Sequence, residues 1–328
     1  MPKTDTRNQI LKYIEQQSGV RVKDLVDHFQ ISSQIIHRHL NVLLREGNII
    51  KRGFSPRVYY FSVENNSFDH EFNQLNLLKK DDFLENNWLT IEPTGNILRG
   101  TDGFFLWCKE RGFDFNTKRS EYLSVFDKYA PYRKNGYIDA TEKFREIFSN
   151  ISLDKAFYLD FYSYEIFGRT KWGSLVLYAK LNEDKNLMRE VFVWAKPKIE
   201  SIIRKYNIDC IGFIPHSLRR RTPFLPNLQK FLNLPLPVIS FLKITGEISV
   251  PQKTLRKASE RIQNAKETIF LEQQTFSPGK RLLLIDDAVG SGATLQITAE
   301  KCKKIGIEHI YGLALVGSIK GFEVIAEV

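Results

Sequence analysis

A chain of 328 residues, 42% of them hydrophobic, can fill two or three cores, which excludes a linker or disordered tail. Its apolar runs, such as Leu175–Ala179 and Leu282–Ile285, fall far short of the ~18 residues of a membrane span, residues 1–7 carry no apolar signal region, and Cys108, Cys210 and Cys302 lie too far apart for a CxxC knuckle or disulfide framework, so a reducing cytoplasm without a membrane partner is expected. The net charge of +10 gathers in residues 1–60, with ten Lys/Arg against five Asp/Glu, and in residues 216–270, with ten against three, so two separate regions attract anions.

From the start of the chain, Ile10, Leu11 and Ile14 recur at helical spacing up to Ser18-Gly19, and Leu25, Val26 and Phe29 form a second amphipathic stretch. Ser32 is the expected N-cap of a third helix, with Ile36, Leu40 and Leu43 on one face and Gly47 as its stop. Ile49-Ile50, a basic turn over residues 51–57 and Val58–Phe61 then read as a β-hairpin, so residues 1–64 are expected to be a winged helix. The other face of the third helix carries Ser33, Gln34, His37, Arg38 and Asn41, all able to reach base edges or phosphates, and Lys51, Arg52 and Arg57 on the wing would add salt-dependent backbone contacts. Protein contact or RNA binding is the alternative use of such a unit.

Residues 65–150 are mixed and aromatic-rich, with Phe104–Trp107 and Tyr122–Tyr132 as dense patches. Ordinary core packing in a connecting or dimerising segment is the expectation there. From residue 151 to 328 the pattern turns α/β: a helix at Ile199–Tyr206, a strand at Cys210–Ile214, a helix at Leu228–Leu232, strands at Val238–Leu242 and Leu282–Ile285, a helix at Thr294–Ile305 and a last strand at Ile310–Val316. Such alternation predicts a parallel sheet with its ligand at the carboxyl ends of the strands.

The sharpest motif lies at one such end. The apolar run to Ile285 leads into Asp286-Asp287-Ala288-Val289-Gly290-Ser291-Gly292-Ala293-Thr294, and a helix follows at once. Gly290 and Gly292 let backbone N–H groups converge at a helix N-terminus, which suits a phosphate, and Ser291 and Thr294 add hydroxyl donors. Two carboxylates beside a phosphate cradle repel it unless something between them needs acceptors, as ribose hydroxyls do. A Walker A loop would place Lys where Ala293 stands, and a dinucleotide fingerprint would place a small residue where Leu295 stands, so neither fits.

Leu283–Thr294 resembles the signature of type I phosphoribosyltransferases, which bind phosphoribosyl pyrophosphate (PRPP) with Mg²⁺. The stretches Gly212–Arg221 and Pro251-Gln252…Leu255…Arg261…Asn264 look like the competence ComF branch of that family. The resemblance implies that Asp286 and Asp287 hold the ribose 2′- and 3′-hydroxyls, that Ala288–Thr294 hold the 5′-phosphate, and that Pro215, His216, Ser217, Arg219 and Arg220 contact pyrophosphate. It makes Gln252–Lys266 a basic lid in which Arg256 and Arg261 assist departure of the leaving group. Lys243 stands where the family has an arginine. His216 is read as a hydrogen-bonding loop residue, not as an acid or base, and Phe322 as a stacking or core aromatic. The cysteine-rich zinc module that usually precedes ComF domains is absent.

Two functions share these residues: a transferase or hydrolase acting on PRPP or a related ribose phosphate, and a non-catalytic sensor that alters DNA affinity, as in purine repressors that join the same two domain types. The combination also resembles the ribosyltransferase/DNA-binding component of bacterial retron antiviral systems, which implies a reverse transcriptase and its msDNA as partners. A homo-oligomer is expected in each case.

Overall fold

The computed structural model describes residues 3–17, 19–54, 57–63, 80–216, 220–248, 250, 254–255, 257–272 and 281–318. They fall into two compact units, Met1–Lys80 and Asp81–Val328.

The first unit has three helices, α1 (Lys3–Glu15), α2 (Val22–Phe29) and α3 (Ser33–Arg45), then an antiparallel hairpin of β1 (Ile49–Phe54) and β2 (Arg57–Ser62). Ser32 caps α3, its side chain accepting from the Ile35 amide at 3.4 Å. Apolar residues three and four apart turn inward, so Ile10, Ile14, Leu25, Ile36, Leu40, Leu43, Ile49 and Tyr60 share one core. Val20 bridges to Tyr60 through paired amide hydrogen bonds of 2.9 and 2.8 Å, which ties the start of α2 to the hairpin.

The second unit begins with a short helix, Asp82–Asn87, and a hairpin of β3 (Leu89–Ile91) and β4 (Ile97–Arg99). The helices Gly100–Glu110 and Phe115–Lys128 follow. Strands β5 (Arg133–Lys134) and β6 (Tyr137–Asp139) lead through helix Thr141–Ile147 to β7 (Lys155–Phe161). A small ribbon of β8 (Ser163–Tyr164) and β9 (Gly168–Arg169) precedes the helices Lys171–Leu181 and Lys185–Tyr206. After β10 (Cys210–Phe213) come helix Phe224–Leu232, β11 (Val238–Ile239) and β12 (Phe241–Lys243). Helix Ala258–Thr268, β13 (Ile269–Leu271), β14 (Arg281–Val289), helix Ala293–Lys304 and β15 (His309–Gly317) complete the unit.

Seven strands form the central sheet in the order β11-β10-β14-β15-β7-β6-β5. The first five are mutually parallel, and β6 and β5 extend the edge antiparallel. Leu282–Ile285 and Leu313–Val316 are wholly buried, the continuous apolar pattern of strands covered on both faces. Trp88, Phe104 and Tyr122 belong to the same core as these strands, so from Asp81 onward the aromatic-rich segment is continuous with the sheet unit.

Three elements differ from the sequence pattern. The helix expected at Ile199–Tyr206 starts fourteen residues earlier, at Lys185, where Asp184 caps it and Pro197 lies on its exposed side between buried Ala195 and Ile199. The strand expected at Val238–Leu242 breaks at Ser240: Phe241 packs against Gly212, where an added Cβ would meet the phenyl ring at 2.6 Å, and β12 leaves the sheet to pair with β13. The strand expected to end at Ile285 runs on to Val289, because β15 continues to pair with it through Gly317.

Candidate functional site

Chain order explains where a ligand can enter. From β10 the chain crosses to β11 on one side, whereas from β14 it crosses to β15 on the other, so the direction of winding reverses between β10 and β14. A crevice forms outside the carboxyl ends of strands at such a reversal. Pairing of β10 with β14 stops at Phe213 and Ile285, and the Ile214 amide donates to the Ile285 carbonyl at 2.9 Å. Strand β14 then runs on for Asp286–Val289, paired only with β15, so the two aspartates stand at the edge of that crevice.

Asp286 and Asp287 are half-buried, and the Asp287 amide donates to Asp286 Oδ1 at 2.8 Å. Burial first, and then the Asp287 charge, push Asp286 up to about 7; Lys180, the Asp287 amide and Lys243 act in the other direction. Lys180, from the last turn of helix Lys171–Leu181, donates to Asp287 Oδ1 at 2.6 Å. Lys243, at the end of β12, is held below its ordinary range by burial, opposed by Asp286, and donates to Asn264 Oδ1 at 3.3 Å.

The glycine turn is strongly constrained. Gly292 has φ 77°, and a Cβ there would meet the Phe144 ring at 2.6 Å, so both the backbone conformation and the space call for glycine. Ser291 is buried and its Oγ accepts from the Ala293 amide at 3.4 Å. Gln296, one turn into the helix, is buried; its side chain accepts from the Ser152 amide at 3.0 Å and donates to the Asn150 carbonyl at 2.9 Å. The helix start is thereby pinned to the segment before β7. Its leading amides, with the dipole behind them, favour an anion.

On the other side of the reversal, Pro215 is half-buried and His216 exposed just after β10. Arg220 donates to the Lys180 carbonyl at 2.5 Å, and the Thr222 amide donates to Glu183 Oε2 at 2.5 Å, so the chain beyond the loop is docked on the end of the Lys171–Leu181 helix. Ser217, Arg219, Gln252, Arg256 and Phe322 lie outside the described residues. Arg261 is buried, donates from Nε to the Leu255 carbonyl at 2.9 Å, and has Glu260 as the charge acting on it. It is thus built into the base of its helix.

Lys180 is the residue that sequence reasoning passed over. Its partner lies 107 positions away, and the run Leu175–Ala179 beside it reads only as core.

In the first unit, Ser33, Gln34, His37, Arg38 and Asn41 are all exposed on α3 while Ile36 and Leu40 face the core. Lys51 is exposed. Arg52 is half-buried with its guanidinium 5.3 Å from the Phe61 ring centroid, so the arginine is partly committed to packing. The Arg57 side chain lies outside the described set.

Residues 7–54 match the DeoR-like helix-turn-helix domain. The first unit, three helices and a hairpin, has the architecture of a winged helix-turn-helix and is similar to that domain. Over 78 residues the chain is 30% identical to an adenine phosphoribosyltransferase of Albidiferax ferrireducens, a stretch that covers 24% of this chain and 40% of that enzyme. The chain thus spans about two fifths of the length of this curated relative. Among solved structures, a hypoxanthine phosphoribosyltransferase of Staphylococcus aureus is 14% identical with a TM-score of 0.26, covering 42% of this chain and 70% of that one. A purine phosphoribosyltransferase of Pyrococcus horikoshii is 22% identical with a TM-score of 0.23, covering 40% and 91%. A DeoR-like helix-turn-helix match thus precedes a mixed α/β unit built on a sheet with five mutually parallel strands. Among the described residues no helix is long and apolar enough to cross a membrane.

Proposed function

We propose that the protein binds PRPP or a related ribose phosphate at the end of β14 and breaks its bond at C1, with the winged helix holding nucleic acid. The observation that carries this reading is the acidic pair joined to a glycine turn and helix N-terminus at the winding reversal. Asp286 and Asp287 hold the ribose hydroxyls, the backbone and hydroxyls of Ala288–Thr294 hold the 5′-phosphate, and the loop Pro215–Arg220 faces the diphosphate. Cleavage at C1 sends the bonding pair to the departing diphosphate and leaves positive charge on the ribose, and water or an acceptor group then forms the new bond at C1 and gives up its proton. Cations around the leaving group lower that barrier. Arg219, Arg220, Arg256 and Arg261 are assigned to this role.

Magnesium, implied by the resemblance, would meet two adjacent carboxylates, one already paired with Lys180, and no cluster of three His, Cys, Asp or Glu exists among the described residues. That donor set fits an ion carried mainly by the ligand's own oxygens beside Asp286 and Asp287; when bound, it supplies neutralisation of the diphosphate.

Incubation of the full chain with PRPP and Mg²⁺, with nucleotides and with NAD, against the Asp286→Asn/Asp287→Asn variant, tests the reading. Turnover that the double change abolishes supports an enzyme. Absence of both binding and turnover in the wild-type chain overturns the reading. The DeoR-like domain favours one second reading, in which ligand binding without turnover alters DNA affinity. The order of the two units also supports a role as effector of a retron defence system; co-purification with a reverse transcriptase and msDNA, and loss of both on Arg38→Ala, is the check on that assignment. A homo-oligomer is part of the proposal and is read by light scattering.

A further inference from the structure

Lys180 belongs to neither half of the acidic and glycine-rich motif, yet it touches the centre of it. Its helix packs against β7 and β15, and the last turn brings Nζ to 2.6 Å from Asp287 Oδ1. A lysine in the last turn of a helix ordinarily extends into water, where it complements the dipole. This one crosses to a strand 107 positions away and keeps 29% of its side chain exposed, so a ligand at the crevice can reach it. Its own carbonyl takes the Arg220 guanidinium at 2.5 Å, and Glu183, three residues on, takes the Thr222 amide at 2.5 Å. The backbone around Lys180 is thus locked to the chain that leaves β10, while its ammonium is locked to β14. The residue links Asp287 to Arg220.

Charge explains why a cation belongs there. Adjacent carboxylates at the mouth of a crevice oppose any polyanion, and the opposition grows with each phosphate the ligand carries. The lysine meets Asp287 through Oδ1, and the carboxylate keeps lone pairs to accept from a hydroxyl while its charge is offset. Lys243, at the end of β12, also acts on Asp286. Lys180 thus acts on both aspartates, and its backbone, which takes Arg220, sets it beside the chain that follows β10.

We propose that Lys180 is a specificity-determining residue of this site, offsetting Asp287 and sharing its ammonium with the anionic group carried at ribose C1, so that the site prefers a pyrophosphorylated ribose to ribose 5-phosphate. The inference rests on the ribose-phosphate reading above and deepens it. It differs from a purely structural ion pair in one respect: removing a pin that merely shapes the site weakens both ligands together, whereas removing a cation that meets the C1 substituent weakens only the ligand that has one.

Calorimetric titration of the full chain with PRPP and with ribose 5-phosphate, both in Mg²⁺, separates these cases. Wild type is expected to prefer PRPP. Lys180→Met should lower PRPP affinity by about tenfold, about the scale of one charge-assisted contact, and change ribose 5-phosphate affinity less than about twofold. Lys180→Arg should restore most of the preference. Lys180→Gln, which keeps a donor without the charge, gives the same answer should the methionine variant fail to fold, and thermal melting reports folding for each. Equal loss of both ligands, or no loss of either, overturns the proposal while leaving the ribose-phosphate reading in place. A wild-type chain that binds neither ligand overturns that reading and this inference with it.

Discussion

The two units expose their polar chemistry in opposite ways. On α3, Ser33, Gln34, His37, Arg38 and Asn41 stand on an exposed helix face over a plain apolar core, and their placement needs nothing beyond helical periodicity. At the end of β14, Asp286 and Asp287 are half-buried where one strand outlasts its neighbour, and their charges are offset by lysines from two other elements. The first arrangement suits an extended polyanion bound through many modest contacts. The second suits a small ligand bound through a few contacts, each placed by the fold. A surface of the first kind tolerates single changes, and a site of the second kind does not.

That contrast can be broken experimentally, beginning with the core beneath the exposed face. Leu40→Ala, at a fully buried position, should cost the first unit about 2–5 kcal/mol. Calorimetry should show its transition lowered while that of the sheet unit stays. A single transition moving as a whole would contradict two separate units. The next effect concerns pH. A carboxyl held near 7 keeps its proton in the folded state while the unfolded chain loses it near 4, so the folded state binds more protons between those values. Burial of Asp286 in its neutral form is thus favourable below about pH 4 and is lost as pH rises to about 7. Stability of the sheet unit should fall over that window, and Asp286→Asn should flatten the fall in a pH series of melting curves. Gly292→Ala, which forces a side chain into positive φ and against Phe144, should cost about 1–3 kcal/mol and weaken phosphate binding. Smallest of all, Arg38→Ala and Lys51→Ala should each weaken nucleic-acid binding and reduce its salt slope by about 1 in gel-shift titrations. An unchanged slope for both would make the winged helix a protein-contact module.

These differences follow what a sequence can display. The Ser32 cap and the Ile36, Leu40 and Leu43 stripe are local, so α3 could be read with its boundaries nearly correct. The glycine turn was legible because positive φ and a helix N-terminus demand particular residue types within a few positions. Strand β7 was not read, since it is buried along most of its length and lacks alternation, and the two-residue β5 is too short to signal itself. Lys180 was invisible for another reason: an ion pair between a helix end and a distant strand leaves no periodic trace. Arg261 is the reverse case. A basic segment suggests free cations, but the structure buries this one against the Leu255 carbonyl, because a helix lying on Ile297 needs its inner face filled.

The most direct test of the account is a crystal structure of the full chain with ribose 5-phosphate. The phosphate is expected within about 3 Å of the amides of Gly290–Thr294, with the sugar hydroxyls on Asp286 and Asp287. A bound ligand lying elsewhere, with those carboxylates turned from it and the glycine turn untouched, would contradict it.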